Sequence, residues 1–179
     1  PGVPSQSASY TVNDRLAGDT YDANGNTLGA QVPLAEGGPV GVTDIYDFED
    51  RLIRRIQADG KIIDILYDAD GNRVAKRVQH ASTTETTHYL VDSNNLTGYA
   101  QVIEEHSTSS GLTDSPSSAT LTASYAYGLD LISQDRLTDI GDWEISFYLY
   151  DGGGHVRALA SASSTITDTY TYDAYGILI

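Results

Sequence analysis

Closely spaced carboxylates are the first feature of this sequence that could carry chemistry. The segment YDADGNRVAKRV places Asp68, Asp70 and Gly71 at the spacing of a calcium-binding loop. A full loop of the EF-hand type needs ligands at positions 1, 3, 5 and 12 and a glycine at position 6. With Gly71 at position 6, positions 1 and 12 are Leu66 and Arg77, and neither side chain offers an oxygen. The segment therefore predicts a tight turn between two strands.

Other residues that often act in catalysis or metal binding lack the spacing of a known motif. The four histidines form no HExxH motif, and the serines form no G-x-S-x-G motif. The run 152–154 is Gly-Gly-Gly and lacks the GxGxxG spacing of a phosphate-binding loop. Glu104 and Glu105 would point to opposite faces of an extended strand, so they cannot flank one substrate bond. We therefore expect no enzymatic activity, no bound metal and no cofactor.

The amino-acid composition narrows the classes of molecule that this chain could bind. The chain has 179 residues with 25 acidic and 10 basic side chains, which gives a formal charge of −15. Nucleic-acid binding needs clustered lysine and arginine, and the short basic groups here are interleaved with apolar residues, so we expect solvated strand faces and no nucleic-acid partner. Without cysteine the chain forms no disulfide or thiolate metal site. No apolar run approaches the roughly 18 residues of a membrane span, and the first residues do not resemble a secretion signal.

The elements that would position these residues are set by a repeat. A tyrosine-centred marker, mostly Tyr-Asp, recurs at intervals of 21–25 residues, with one longer interval of 38 between Tyr89 and Tyr127. Each marker predicts the tip of a β-hairpin, because aspartate caps a turn through its side chain and glycine takes the positive φ that follows a type I turn. The predicted structural turn residues are Tyr21, Asp22, Gly25, Tyr46, Asp47, Tyr67, Asp68, Gly71, Tyr150, Asp151, Tyr172, Asp173 and Gly176.

Between the markers the sequence alternates with a period of two, which predicts half-buried antiparallel strands. In residues 165–172, for example, threonines lie at every odd position, while Ile166, Asp168, Tyr170 and Tyr172 fill the even ones. The 13 tyrosines, against two phenylalanines and one tryptophan, suit a pleated surface that is wet at the hydroxyl. We expect one all-β region over residues 1–179, built from antiparallel hairpin repeats, with irregular loops at about 33–41 and 104–121.

These repeats resemble the YD-repeat, or RHS-repeat, family. The similarity rests on segments such as TYDANGNT, YDADGNRVAKRV, FYLYDGGGHVRALA and TYTYDAYG, and it extends from about Tyr10 to Ile179. The resemblance implies a spiral β-sheet that closes into a hollow shell. In bacterial polymorphic and insecticidal toxins of that family the shell encloses a toxic C-terminal segment, and in animal relatives it forms part of an adhesion receptor.

Parts of the family pattern are missing from this sequence. The family's self-cleavage site lies beside an Asp-Pro-x-Gly motif, and this chain contains no Asp-Pro dipeptide, so no residue here inherits that role. The chain also stops before the segment that would plug the shell. The absence of methionine and the repeats lead us to expect part of a longer, secreted or cell-surface bacterial protein.

The sequence leaves three functions open. The chain is a structural part of a shell around a toxic cargo, an extracellular adhesin or self-assembling β filament, or a carbohydrate-binding surface that uses exposed tyrosines. Strands near residues 10–16 and 165–179 would have unpaired backbone groups, so we expect them to pair with the rest of the same polypeptide or with identical copies. Toxin cargo and glycans are the other expected partners.

Overall fold

The fold is all-β, as the alternating pattern predicts. The computed structural model describes residues 9–33, 39–109, 111–113, 119–173, 176 and 178. Its strands are β1 Thr20–Tyr21, β2 Thr27–Pro33, β3 Pro39–Tyr46, β4 Leu52–Ile56, β5 Ile62–Tyr67, β6 Arg73–His80, β7 Thr83–Asp92, β8 Gln101–Thr108, β9 Thr120–Tyr127, β10 Leu131–Leu137, β11 Trp143–Tyr150, β12 Val156–Ser161 and β13 Ile166–Thr169. No helix occurs in these ranges, and hence none that could cross a membrane.

The thirteen strands form one sheet in which neighbours in sequence are neighbours in space, from β1 to β13. Pairing is antiparallel wherever a register is defined, for example Asp64 of β5 opposite Arg54 of β4 and Arg77 of β6. Short turns join most successive strands in the described residues, and a bulge precedes several turns, as between Leu66 and Tyr67. The predicted hairpin repeats are therefore confirmed, and every repeat adds to the one before it.

Two compact units divide the chain. The N-terminal unit contains Ser5–His88 and Ser107–Ser118, and the C-terminal unit contains Tyr89–His106 and Ala119–Ile179. Each unit has a small apolar core, with Ala75 buried in the first and Ala123, Leu159 and Ala160 buried in the second. Most other strand residues are half-buried. Because so little apolar volume is enclosed, hydrogen bonds of the strand ladders and cross-strand side-chain pairs carry much of the specificity of this fold.

Some strand boundaries differ from those the sequence suggested. The loop expected at 104–121 is shorter, since β8 runs to Thr108 and β9 begins at Thr120. The loop expected at 33–41 also overlaps the ends of β2 and β3, and residues 34–38 lie outside the described part. Threonines and alternating polar residues fit a pleated strand as well as they fit a loop, so composition misplaced these boundaries.

Two further expectations were wrong in detail. Tyr89 lies inside the ten-residue strand β7 and not at a hairpin tip, because the strand continues to Asp92 before the chain turns. The last strand, β13, is not half-buried, since all four of its residues are exposed.

Candidate functional site

Most of the hairpin turns in the described residues share one backbone geometry. The N–H of the first turn residue donates to the carbonyl of the fifth, and the N–H of the fourth donates to the carbonyl of the first, as with Asp68 to Asn72 at 2.9 Å and Gly71 to Asp68 at 3.2 Å. The fourth residue has a positive φ, which is +83° at Gly71. This is a type I turn followed by a left-handed residue. Eight turns in the described part share both bonds; they begin at Thr11, Asp22, Asp47, Gln57, Asp68, Thr138, Asp151 and Ser161.

The predicted turn residues occupy equivalent places in this geometry. Each tyrosine ends a strand or, at Tyr172, forms an isolated bridge with Leu178. Each aspartate is the first turn residue, and the fourth is glycine or, in the turn from Asp47, Asp50 with a φ of +61°. The predicted positions are Tyr21, Asp22 and Gly25; Tyr46 and Asp47; Tyr67, Asp68 and Gly71; Tyr150 and Asp151; and Tyr172, Asp173 and Gly176, where Gly176 donates to the Asp173 carbonyl at 3.1 Å.

The aspartate side chain closes each turn from within. Asp68 Oδ1 accepts the backbone N–H groups of Asp70 at 3.0 Å and Asn72 at 2.8 Å, and its Oδ2 accepts the Asn72 side-chain amide at 3.0 Å. These donors, led by the Asn72 side chain, hold the pKa of Asp68 below its ordinary value. The pKa of Asp151 is also lowered, most of all by the hydrogen bond from the His155 N–H and next by the Arg157 guanidinium. The carboxylates therefore act as anionic caps whose oxygens already have donors.

Tyrosine hydroxyls tie three of the marker turns to the strand before them. Tyr67 donates to the Leu52 carbonyl at 3.0 Å, and Tyr46 donates to the Thr27 carbonyl at the same distance. Arg51 also lies over the Tyr67 ring, 5.0 Å from its centre, in a cation–π contact. Tyr150 repeats the hydroxyl contact at 2.6 Å to the Leu131 carbonyl. The marker tyrosine thus joins two successive strands at the end where the turn begins.

Neighbouring turns also contact one another directly. The side-chain amides of Asn24 and Asn26 both donate to Asp50 Oδ1, at 2.9 and 2.7 Å. Asn24 and Asn26 belong to the turn that starts at Asp22, whereas Asp50 lies in the next turn along the same edge. These two turns are therefore joined by side-chain hydrogen bonds, so that the turn of one repeat helps to position the turn of the next.

Two buried aspartates on the strands were missed by the sequence analysis. Asp44 and Asp64 are 2% and 4% exposed. Asp44 accepts two bonds from Arg55, at 2.8 and 2.7 Å, and Asp64 lies between Arg54 and Arg77. Burial alone would raise the pKa of Asp64, but the two guanidinium groups outweigh it, and the pKa lies below the ordinary value of 3.8.

These contacts correct the interpretation of the basic groups as solvated strand faces. Arg54, Arg55 and Arg77 are half-exposed but each is bound to a buried carboxylate. The signal that could have found them is the register itself, since Arg54, Asp64 and Arg77 become cross-strand neighbours once the hairpin turns are placed.

A tyrosine cluster lies in the C-terminal unit. The Tyr125 hydroxyl donates to Glu105 Oε1 at 2.7 Å and accepts from Arg136 Nη2 at 2.8 Å, and Tyr148 donates to Gln134 Oε1 at 2.9 Å. Burial is the main cause that raises the pKa of Tyr125, and the Glu105 carboxylate adds to it. The hydroxyl is therefore held protonated, which suits a structural contact better than proton transfer.

The histidines are dispersed over the two units. His106 lies 2.8 Å from Glu104, His155 lies 3.1 Å from Asp151, and His80 lies 3.8 Å from Asp59. His88 is buried in β7. In the part of the chain that the structure describes, no three His, Cys, Asp or Glu side chains converge to hold a metal ion.

We predict that Gly71→Val lowers the free energy of unfolding by about 1–2 kcal/mol, because a β-branched residue resists a φ of +83°. Steric crowding does not cause this loss of stability, since an added Cβ would lie 3.7 Å from Arg51 Nη1, an ordinary contact distance. Urea unfolding monitored by circular dichroism measures the effect. Gly152→Val is the matched control, because that glycine has open space around it and no positive φ. Equal losses in both variants would contradict the argument.

We also predict that EDTA leaves the thermal unfolding midpoint unchanged. The turn carboxylates already accept N–H donors, so a calcium ion would have to displace them. A ligand that binds only the folded state raises the midpoint, and its removal lowers it. A fall of several degrees on adding EDTA, restored by calcium, would show that the turns bind the ion.

Comparisons with known proteins give only a weak similarity to solved structures. No family model matches the chain, and no curated protein matches it. Three solved structures that match are a TcdB2–TccC3–Cdc42 complex and a TcdB2–TccC3 complex, each at 16% identity with a TM-score of 0.42 over 89% of this chain, and a Photorhabdus luminescens Tc holotoxin pore with a mutated TccC3, at 16% identity with a TM-score of 0.46 over 96%. The chain spans only 9–10% of the length of those chains.

Proposed function

We propose that this chain is a structural, non-catalytic β-repeat segment that contributes part of the wall of a shell around a toxic C-terminal cargo. The observation that carries the proposal is a sheet whose strands follow chain order and whose turns repeat one geometry along it. Two of the turns bind each other through the side chains of Asp50, Asn24 and Asn26, and several marker tyrosines bind the strand before them. A sheet built in this way can be extended indefinitely by adding repeats, which is what a wall requires.

The chemistry of the turns supports a structural role. Their carboxylates are occupied by backbone donors and by neighbouring side chains, and the tyrosine hydroxyls bind carbonyls of the preceding strand. These groups stabilise the hairpins and leave few free functional atoms for a substrate. The resemblance of the sequence to YD repeats adds the expectation that the enclosed partner is a toxin and that the protein is secreted or displayed at a bacterial surface.

The test is cryo-electron microscopy of the complete gene product, combined with limited proteolysis. We expect a hollow particle with these residues in its wall and a C-terminal segment that resists protease until the particle is denatured. Cleavage of that segment at the same rate before and after denaturation would overturn the proposal, as would a gene product with no segment to enclose.

A self-assembling filament is the second candidate, and the last strand favours it. β13 is fully exposed, with Ile166 50% accessible, and it has no blunting lysine or proline. Light scattering and electron microscopy of the 179-residue chain at low and high salt distinguish the two functions. Ordered filaments that grow with salt would favour self-assembly, because salt screens the charge of −15. A monodisperse monomer under both conditions would exclude it.

A further inference from the structure

We propose that the N-terminal unit binds a small apolar carboxylate in a depression on one face of its sheet. The depression has a volume of about 370 Å³, near the lower end for small-molecule sites. It combines apolar side chains with a charged cluster that carries a net positive charge. Its lining comprises Ile45, Ile53, Ile65, Leu66 and Leu112 on the apolar side and Arg54, Asp64 and Arg77 on the charged side.

The strand register brings the charged groups into one row. Ile45 of β3 lies opposite Arg54 of β4, which lies opposite Asp64 of β5, and Asp64 lies opposite Arg77 of β6. Since directly paired residues of an antiparallel sheet project from the same face, these four side chains share one surface. Leu112, from the segment between β8 and β9, contributes a further apolar side.

One carboxylate accepts hydrogen bonds from two guanidinium groups in this row. Asp64 accepts Arg54 Nε at 2.5 Å, and it accepts Arg77 Nε and Nη2 at 3.2 and 2.7 Å. Arg77 therefore uses two nitrogens on Asp64, while Arg54 uses one. The two terminal nitrogens of Arg54 bind no acceptor among the described residues, and its side chain is 43% exposed. Asp64 thus fixes the orientation of Arg54 and leaves its terminal N–H groups available.

This arrangement suits a carboxylate attached to an apolar group. The two terminal nitrogens of a guanidinium match the spacing of carboxylate oxygens, so Arg54 can donate two parallel hydrogen bonds. One uncompensated positive charge remains after Asp64 is counted, in a chain whose overall charge is −15. An alkyl or aryl group beside the carboxylate would cover Ile45, Leu66 and Leu112 and remove their apolar surface from water.

The chemistry predicts an order of affinities among simple probes. Acetate offers the carboxylate without the apolar group, and hexanol offers the apolar group without the charge. Hexanoate offers both, so we expect it to bind at least about tenfold more tightly than either. Titration of the 15N- and 13C-labelled 179-residue chain, followed by NMR, measures the three affinities, and the Arg54 Nε–Hε resonance and the methyl groups of Leu66 and Leu112 report the location.

Variants separate the site from general effects of charge. We expect Arg54→Gln to weaken hexanoate binding about tenfold and to leave hexanol binding unchanged. Leu112→Ser should weaken hexanoate and hexanol binding but not acetate binding. Lys76→Gln is the matched control, since Lys76 does not line the depression and projects from the face of β6 opposite to Arg77, and it should bind hexanoate as the parent chain does.

Three results would overturn the proposal. The first is the absence of saturable hexanoate-induced shifts at the Arg54 and Leu66 resonances. The second is equal weakening by Arg54→Gln and Lys76→Gln, which would indicate nonspecific attraction to positive charge. The third is equal affinity for hexanoate and acetate, together with no effect of Leu112→Ser, which would show that the apolar side takes no part. Leu112→Ser retains all three charged groups, so its result decides the matter even if Arg54→Gln fails to fold.

Discussion

Asp64→Asn is expected to lower the free energy of unfolding by about 2–3 kcal/mol. The substitution keeps the shape of the side chain and removes its charge, so Arg54 and Arg77 lose their shared counter-ion. Removing one partner of a fully buried ion pair typically costs more, about 3–5 kcal/mol, but both arginines here are partly exposed and water compensates in part. Urea unfolding at neutral pH measures the change.

Asp70→Asn is the matched control for this prediction. Asp70 is exposed in the turn that follows β5, and it contributes to that turn through its backbone N–H, which the substitution keeps. Its effect should stay within about 0.5 kcal/mol, as for most surface substitutions. A similar loss in both variants would mean that total charge matters and that the buried position of Asp64 does not.

The local geometry of the hairpins could be predicted from the sequence because the signals are local. Aspartate followed three residues later by glycine, between two alternating segments, specifies the turn from Asp68 through short-range hydrogen bonds. The same rule alone would not have found the turn from Asp47, where Asp50 takes the positive φ. The marker tyrosine identified that turn. The contacts of Asp50 are not local, because it accepts hydrogen bonds from the side-chain amides of Asn24 and Asn26, which lie 24–26 residues away in sequence.

The candidate site could not be predicted in the same way, since its residues are brought together by register. Arg54 and Asp64 are ten positions apart in sequence, and Asp64 and Arg77 are thirteen apart. A register shift of one residue would place Asp64 on the opposite face. Leu112 comes from a segment whose composition predicts only a loop. The alternating pattern fixes which residues share a face along one strand but not which residues meet across strands.

The second prediction with a large expected effect concerns acid. Several aspartates have a folded-state pKa below 3.8, so the unfolded chain takes up protons more readily than the folded chain as the pH falls. The stability that they contribute is therefore fully present above about pH 3.8 and is lost as the pH falls below it toward the folded-state values. The carboxylates concerned are Asp22, Asp47, Asp64, Asp68 and Asp151.

We expect the urea midpoint to change little between pH 7 and pH 4.5 and to fall steeply below about pH 3.8, with loss of the native circular dichroism spectrum at lower pH. Asp64→Asn should reduce the steepness of this fall, because one of the titrating groups is then absent. A midpoint that declines evenly from pH 7 to pH 3 would contradict the role given to these carboxylates.

Repulsion between like charges is a competing explanation for unfolding in acid. The same pH titration, repeated with added salt, distinguishes it from protonation of the carboxylates. The chain carries a formal charge of −15 at pH 7 and has an isoelectric point of about 4.3. Repulsion between like charges is therefore weakest near pH 4.3, and below that pH the net charge of the chain is positive. Salt screens repulsion between exposed charges but has less effect on an ion pair with a buried carboxylate, such as that of Asp64 and Arg77. If repulsion caused the acid unfolding, salt at about 0.5 M, where the Debye length is roughly 4–5 Å, would restore most of the lost stability. If the carboxylate hydrogen bonds of the turns and the buried pair cause it, most of the loss persists in salt, because protonation removes the acceptor charge itself.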